Sequence, residues 1–221
     1  DTDREIPNEM LRRIGAHADP LDDVEILWVA KGSQKQELED LIISATEAII
    51  DDKEQSKDSY AWQRKSWDDI QTFRDGITLD CTGIDEFTAF MGKMLPFPSQ
   101  EQSDSYWLAA MRDRQVPTAA AFGLICLKDI DDNVQRLRGG MAWQAMHLQI
   151  VAEGLAAHPL NQIPERIARE QATGIEPEFQ TALESLIGAD KQVLMMFRVG
   201  YSSHPPNLSP RRSAEDVLFT V

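Results

Sequence analysis

The pattern of apolar and polar positions along the chain predicts a few strands among many helices. Val24–Ala30 and Gln192–Val199 are short apolar runs of the kind found in buried strands. Ala119–Leu127 is apolar at nearly every position. Because such a strand must be covered on both faces, we expect it at the centre of the sheet.

Apolar residues spaced three and four apart predict helices in most of the remaining chain. A polar joint is expected over Asp51–Asp58, a turn at His204–Pro206 and a restarted helix at Ser213. The predicted helical segments are Ile6–Ile14, Ser33–Ile49, Trp62–Phe73, Ile84–Leu95, Asp104–Arg112, Asp132–Ala157, Pro164–Ala172 and Pro177–Ile187. The pattern therefore predicts an α+β protein without repeats or an obvious linker, and its length fits either one large domain over residues 1–221 or two small ones.

The longest predicted helix contains a segment without charge. From Gly139 to Ala152 there is no charged side chain, in a chain that is 27% charged. A helix that is apolar all round is buried on all sides, either in a core or against a second subunit. We therefore expect this helix to be buried.

The charge balance limits the partners that the surface can attract. With 37 acidic against 22 basic side chains and a net charge of -15, the surface repels nucleic acid and anionic membranes. No apolar run reaches the length of about 18 residues that a membrane helix needs. Cys81 and Cys126 have no metal or redox spacing, and we interpret them as buried reduced thiols of a cytoplasmic protein.

Basic residues at the two ends of this acidic chain are candidates for a specific anion site. Arginine binds phosphate through two parallel hydrogen bonds, and Arg211 and Arg212 are adjacent. The alternative is that Ser213 and Asp216 cap a terminal helix and leave both arginines in solvent. Thr2 and Arg4 offer a second phosphate-binding pair or, alternatively, a frayed terminus.

The segment after the charge-free helix is a candidate for binding a flat ring through its backbone. It contains Pro159, Leu160, Asn161 and Gln162. The alternative is an ordinary helix end imposed by Pro159. No metal-ligand spacing, nucleophile motif or dinucleotide glycine motif is present in the sequence, so no catalytic side chain is named.

In their order along the chain, these segments resemble the nitroreductase superfamily, and most closely its Acg-type, partly degenerate branch. The resemblance covers nearly the whole chain and is most specific from Gly139 onward. The segments that carry it are Thr2–Arg4, Ile6–Pro7, Val24–Ala30, Phe73–Thr78, Gly139–Gly140 with Gln144 and Leu148, Glu153–Leu155, Pro159–Gln162, Arg198–Gly200 and Pro210–Arg212.

The resemblance implies an antiparallel-rich central sheet flanked by helices, with the long helix at a homodimer interface that holds two FMN molecules. It implies NAD(P)H as the reductant and a nitroaromatic or quinone-like acceptor. By position it assigns Thr2, Arg4, Arg211 and Arg212 to the FMN phosphate. It assigns the backbone of Pro159, Leu160, Asn161 and Gln162 to the flavin ring. A single unit of this length implies either a homodimer or the C-terminal half of a longer tandem protein.

Two departures from the family pattern leave alternatives open. The Asn-x-x-Pro-Trp that holds the flavin pyrimidine is replaced by Leu21–Glu25, and the usual Glu-Gly or Gly-Gly is replaced by Asn161-Gln162. The first hypothesis is an FMN-dependent oxidoreductase. The second is an FMN-holding protein with little or no turnover, and the third is an acidic helical interaction domain without cofactor.

Overall fold

The computed structural model describes residues 4–84, 86–203 and 207–218, so the expected His204–Pro206 turn and Thr2 lie outside the described residues. The strands are β1 Val24–Val29, β2 Ala121–Leu127, β3 Ala156–Pro159 and β4 Gln192–Gly200. The helices are α1 Asn8–Gly15, α2 Ser33–Asp51, α3 Lys53–Ala61, α4 Trp67–Phe73, α5 Glu86–Met94, α6 Gln100–Ala110, α7 Asn133–Ala152, α8 Gln162–Thr173 and α9 Glu178–Ile187. A 3-10 turn, Leu79–Cys81, and a π-helical segment, Met111–Gln115, complete the regular structure.

The four strands form one sheet in the order β1-β2-β4-β3, and every neighbouring pair is antiparallel. All seven residues of β2 are buried, which confirms its predicted central place. With helices covering the sheet, the structure confirms the expected α+β class and its antiparallel sheet.

One face of the sheet carries the main hydrophobic core. Buried residues of α1 and α7 pack there against β2 and β4, including Ile14, Ile150 and Phe197. Phe197 contacts the rings of Trp28 and Trp143 at centroid distances of 5.6 and 4.8 Å. Its cross-strand neighbour is Gly123, where a Cβ would lie only 2.2 Å from the Phe197 ring. A glycine is therefore required at this position so that the ring can lie flat across β2.

Only one side of α7 is buried within the chain. The buried positions follow one stripe of the helix: Gly139, Ala142, Met146 and Ile150. A second stripe, at spacings of three, four and seven, is more than half exposed: Val134, Leu137, Met141, Leu148 and Val151. Burial in the core of the single chain therefore accounts for one side only of this helix, and the expected cover by a second subunit stays a prediction.

Several predicted boundaries need correction. The predicted helix Asp132–Ala157 ends at Ala152, because Gly154 takes a positive φ of 72° and the chain continues into the unpredicted strand β3. The polar joint over Asp51–Asp58 is mostly helix α3, which begins after Asp52 accepts hydrogen bonds from the amides of Glu54 and Gln55. The predicted Asp104–Arg112 helix is α6, which begins and ends earlier and continues as the π-helical segment.

The chain divides into two compact units, and each is described by itself. Unit 1 comprises residues 1–49 and 108–203 and contains the sheet; unit 2 comprises residues 50–107 and 204–221. The single FMN-binding domain expected over residues 1–221 stays a prediction. Among the described residues, no helix combines the length and the apolar character needed to cross a lipid bilayer.

Candidate functional site

The predicted ring-binding segment lies in unit 1, where β3 passes into α8. β3 is an edge strand, which tolerates Pro159 because its outer side needs no ladder hydrogen bond. The Leu160 amide donates to the Met196 carbonyl at 2.9 Å, so the segment stays attached to β4 beyond the end of the strand. The chain then enters α8 at Gln162. The interpretation of Pro159 as a plain helix end is therefore wrong, since it ends a strand.

The side chains of this segment are used within the protein. Leu160 is buried, and the Asn161 side-chain oxygen accepts from the Met196 amide at 2.9 Å instead of capping α8. The Gln162 side chain is buried and donates to the Met111 sulfur at 3.5 Å. Since the first amides of a helix have no partner within it, an uncapped helix start leaves backbone donors for another group. The segment thus offers backbone amides, which are the groups through which the sequence analysis expects it to bind a flat ring.

Arg4 also belongs to unit 1. Its guanidinium carbon lies 3.5 Å from the centroid of the Tyr201 ring, immediately after β4 ends at Gly200. Gly200 pairs with Ala156 at the start of β3, and α8 begins beyond the other end of that strand. The four residues of β3, which lie between these two places, span about 13 Å. Thr2, its predicted partner, lies outside the described residues.

The C-terminal arginines lie in unit 2, in a cluster of charged groups. Arg212 forms an ion pair with Asp75, whose other oxygen accepts from Arg64 Nη2 at 2.5 Å and from Arg64 Nε at 3.0 Å. Hydrogen bonds from Arg64, and then from Arg212, hold the pKa of the Asp75 carboxyl below its usual value. Arg211 Nη1 donates to Ser209 Oγ at 2.6 Å and to the Pro210 carbonyl at 3.3 Å.

The turn after these arginines combines features of both sequence interpretations. The Ser213 amide donates to Asp216 at 3.1 Å and the Asp216 amide donates back to Ser213 Oγ at 3.3 Å, as in a capping box. The described residues that follow form a single turn, so the helix expected at Ser213 is not seen up to residue 218. Both arginines are exposed, as this alternative expects, and Arg212 is in addition ion-paired with the Asp75 carboxylate.

Two adjoining cavities in unit 2 are lined by these groups. One, of about 500 Å³, is lined by α4 and the tail, including Arg74, Arg212 and Asp216. The other, of about 460 Å³, is lined by Arg74, Arg211 and Arg212 together with Trp62. Arg74 lies in the Phe73–Thr78 segment that carries the family resemblance, but the sequence assigns it no role in binding, because only the fold brings the end of α4 beside the tail.

The two cysteines differ in environment. Cys126 is buried in β2, where burial raises the pKa of its thiol to about 12. Cys81 is exposed, so the expectation that both thiols are buried is wrong for Cys81. Within the described part of the chain, no three His, Cys, Asp or Glu side chains are grouped so that they could hold a metal ion.

Comparison with known proteins identifies solved structures that share this fold. No protein-family profile and no curated protein sequence matches the chain. Among solved structures, the FMN-dependent nitroreductase NfnB from Mycobacterium smegmatis, in complex with NADPH, superposes with a TM-score of 0.59 at 13% identity. That match covers 99% of this chain and 90% of NfnB.

Two further structures agree with this match. NfnB from Sphigopyxis sp. strain HMH gives a TM-score of 0.59 at 15% identity, over 99% of this chain and 92% of that one. The FMN-bound nitroreductase from Bacteroides fragilis gives 0.51 at 14% identity, over 100% and 90%. The chain has the nitroreductase fold. The sequence resemblance is confirmed at this level, and the Acg-type branch stays a prediction.

Proposed function

We propose that the chain is an FMN-dependent NAD(P)H oxidoreductase of the nitroreductase type, acting on a nitroaromatic or quinone-like acceptor. The observation that carries the proposal is the arginine cluster at the tail of a protein with the nitroreductase fold. In a chain of net charge -15, such a cluster is a local exception that favours a specific anion. The structures that share this fold include FMN- and NADPH-dependent nitroreductases, which fits this chemistry.

The residues present fit the chemical groups of FMN. Its phosphate requires strong cationic donors, which Arg211 and Arg212 supply, with Arg4 and Thr2 assigned to it by the resemblance. Its flat ring requires backbone donors, which the amides of Asn161 and Gln162 provide at the uncapped start of α8, since Pro159 has no N–H and the Leu160 amide donates to Met196. The chemistry that this group would supply is the transfer of a hydride from NAD(P)H to the acceptor.

In this proposal the chain's own residues bind and orient the cofactor. Within unit 2, Arg211 and Arg212 would hold the phosphate, and within unit 1 the amides at the start of α8 would hydrogen-bond the ring edge. Leu160 and the side chain of Gln162 are buried behind that segment and keep it in place. No side-chain acid or base is assigned, since these roles require only positioning and exclusion of water.

The same proposal includes a homodimer that packs through the open face of α7. The exposed stripe from Val134 to Val151 is apolar except for Gln144 and has the spacing of a helix–helix contact. A second copy, placed on a two-fold axis, would cover this stripe with the same stripe. A reducing, cytoplasmic location also belongs to the proposal and is supported by the two free cysteines.

FMN binding tests the proposal directly. The purified protein should show flavin absorbance, and the double variant Arg211→Ala/Arg212→Ala should lose FMN affinity by about a hundredfold or more, at roughly 1.5–3 kcal/mol for each charge-assisted contact. Because Asp75 keeps Arg64 as a partner, the melting temperature should change little. Affinity should weaken as salt is added.

A double variant with the same change in charge serves as the control. Arg112→Ala/Lys93→Ala removes two cations whose side chains are each 49% exposed and ion-paired, to Glu47 and Asp80. Its FMN affinity should stay within about twofold, because exposed pairs contribute little. Unchanged FMN affinity in Arg211→Ala/Arg212→Ala would contradict the site. Anaerobic mixing with NADPH or NADH then separates turnover, seen as bleaching, from FMN holding without turnover.

A further inference from the structure

The cavities in unit 2 are lined by one arginine that neither the sequence motifs nor the comparisons assign. Arg74 lines both cavities, as does Arg212, and Arg211 lines the second. We infer that Arg74 is a third guanidinium of the site, which binds a phosphate monoester together with Arg211 and Arg212. This inference rests on the proposed function, since it extends the same phosphate site.

The backbone at Arg74 supports a role for its side chain. Arg74 ends α4 in the left-handed conformation, with φ 51° and ψ 33°, and it is the one non-glycine residue with positive φ among those the structure describes. Glycine or asparagine is usual at this position after a helix, because a Cβ is strained there. Strained backbone of this kind is concentrated at functional sites.

The side chain of Arg74 is only loosely held. Its Nε donates to the Gln71 carbonyl at 3.3 Å, and its Nη1 lies 3.7 Å from the Asp216 carboxylate. The side chain is 52% exposed. Since a guanidinium carries five N–H donors, these two long contacts leave donors for a ligand in the cavity.

Arg212 can exchange its partner for a phosphate. Asp75 is bonded by Arg64 through two nitrogens, and the Arg64 side chain is only 11% exposed and lies over the Phe73 ring at 4.7 Å. The Arg212 side chain is 48% exposed. If Arg212 turns to a ligand, Asp75 therefore keeps a strong partner. Arg64 is the fixed partner and Arg212 the exchangeable one.

The balance of charge around the cavities favours an anion. Three arginines, Arg74, Arg211 and Arg212, line the cavities together with two carboxylates, Asp75 and Asp216. Both carboxylates are already engaged, Asp75 by Arg64 and Asp216 by the Ser213 amide. The exposed ring of Trp62 lines the second cavity and offers an apolar surface to the organic part of the ligand.

Two proposed ligands carry a phosphate monoester, FMN at its 5′ end and NADPH at its 2′ position. The test compares each with its unphosphorylated counterpart, riboflavin or NADH, in the full-length chain. Arg74→Asn suits the left-handed backbone and should keep or raise the melting temperature. It should reduce the preference for the phosphorylated member of one pair by about ten- to a hundredfold. Arg112→Ala, matched in charge and exposure, should leave both preferences within about twofold.

The outcomes separate this inference from the proposed function. Loss of the preference for FMN over riboflavin would show that Arg74 binds the phosphate of FMN. Loss of the preference for NADPH over NADH would show that Arg74 binds the 2′-phosphate of NADPH. If wild-type protein prefers FMN and Arg74→Asn keeps both preferences unchanged, the inference is overturned and the proposed function stands. If the wild type binds no flavin but Arg74→Asn removes a preference for NADPH over NADH, the proposal of FMN binding fails. The inference that Arg74 binds a phosphate monoester then still holds.

Discussion

The open face of α7 leads to a quantitative prediction for Leu148→Asp. The Leu148 side chain is 63% exposed in the single chain, and full burial of a leucine is worth about 1.5–3 kcal/mol. Covering the remaining surface therefore contributes about 1–2 kcal/mol per copy. A two-fold dimer contains the residue twice, so about 2–4 kcal/mol is lost, equal to a rise in the dimer Kd of roughly 30- to several hundredfold.

This value is a minimum, because burying an aspartate at the interface adds a desolvation cost. Sedimentation equilibrium over a range of concentrations measures the change directly. Leu95→Asp is the matched control, since Leu95 is 62% exposed and lies outside α7. It should leave the dimer intact. A wild-type chain that sediments as a monomer at every concentration, or a Leu148→Asp dimer as tight as the wild type, would refute the reasoning.

Two further predictions concern the core of unit 1 and the thiols. Gly123→Ala should destabilise the protein by about 1–3 kcal/mol in urea unfolding, because a Cβ there would overlap the Phe197 ring; unchanged stability would show that the ring can move. Ellman's reagent should label one thiol per native chain, the exposed Cys81, and label Cys126 only after unfolding. Rapid reaction of both thiols in the native protein would contradict the burial of Cys126.

The sheet could be largely predicted from the sequence because its main strands are almost continuously apolar. β2 is buried at every position, and a run of this kind has few alternatives. β3 was missed because Ala156–Pro159 is a short edge strand that includes a proline and has no apolar alternation. Its position follows from pairing with β4, in which the partner of Pro159 is the distant Phe197, and such a pairing leaves no local signal.

The candidate site could be predicted only where its residues lie close together in sequence. Arg211 and Arg212 are adjacent, so their pairing as an anion site is visible in the sequence. Their partner could not be seen, since Asp75 is 137 positions away from Arg212. Arg74 is equally hidden, because its contribution depends on a left-handed turn and on the tail packing beside it.

The charge-free segment of α7 contains apolar residues on two sides of the helix, and each side needs its own explanation. One stripe of the helix, which includes Met146 and Ile150, packs on the sheet and accounts for the apolar residues on that side alone. It does not account for Leu148 and Val151, which the single chain leaves more than half exposed. An acidic chain with 27% charged residues could place charges at those positions without disturbing its own core. We therefore propose that a surface outside the single chain covers them, and a second α7 carrying the same stripe is the occupant that the homodimer prediction names.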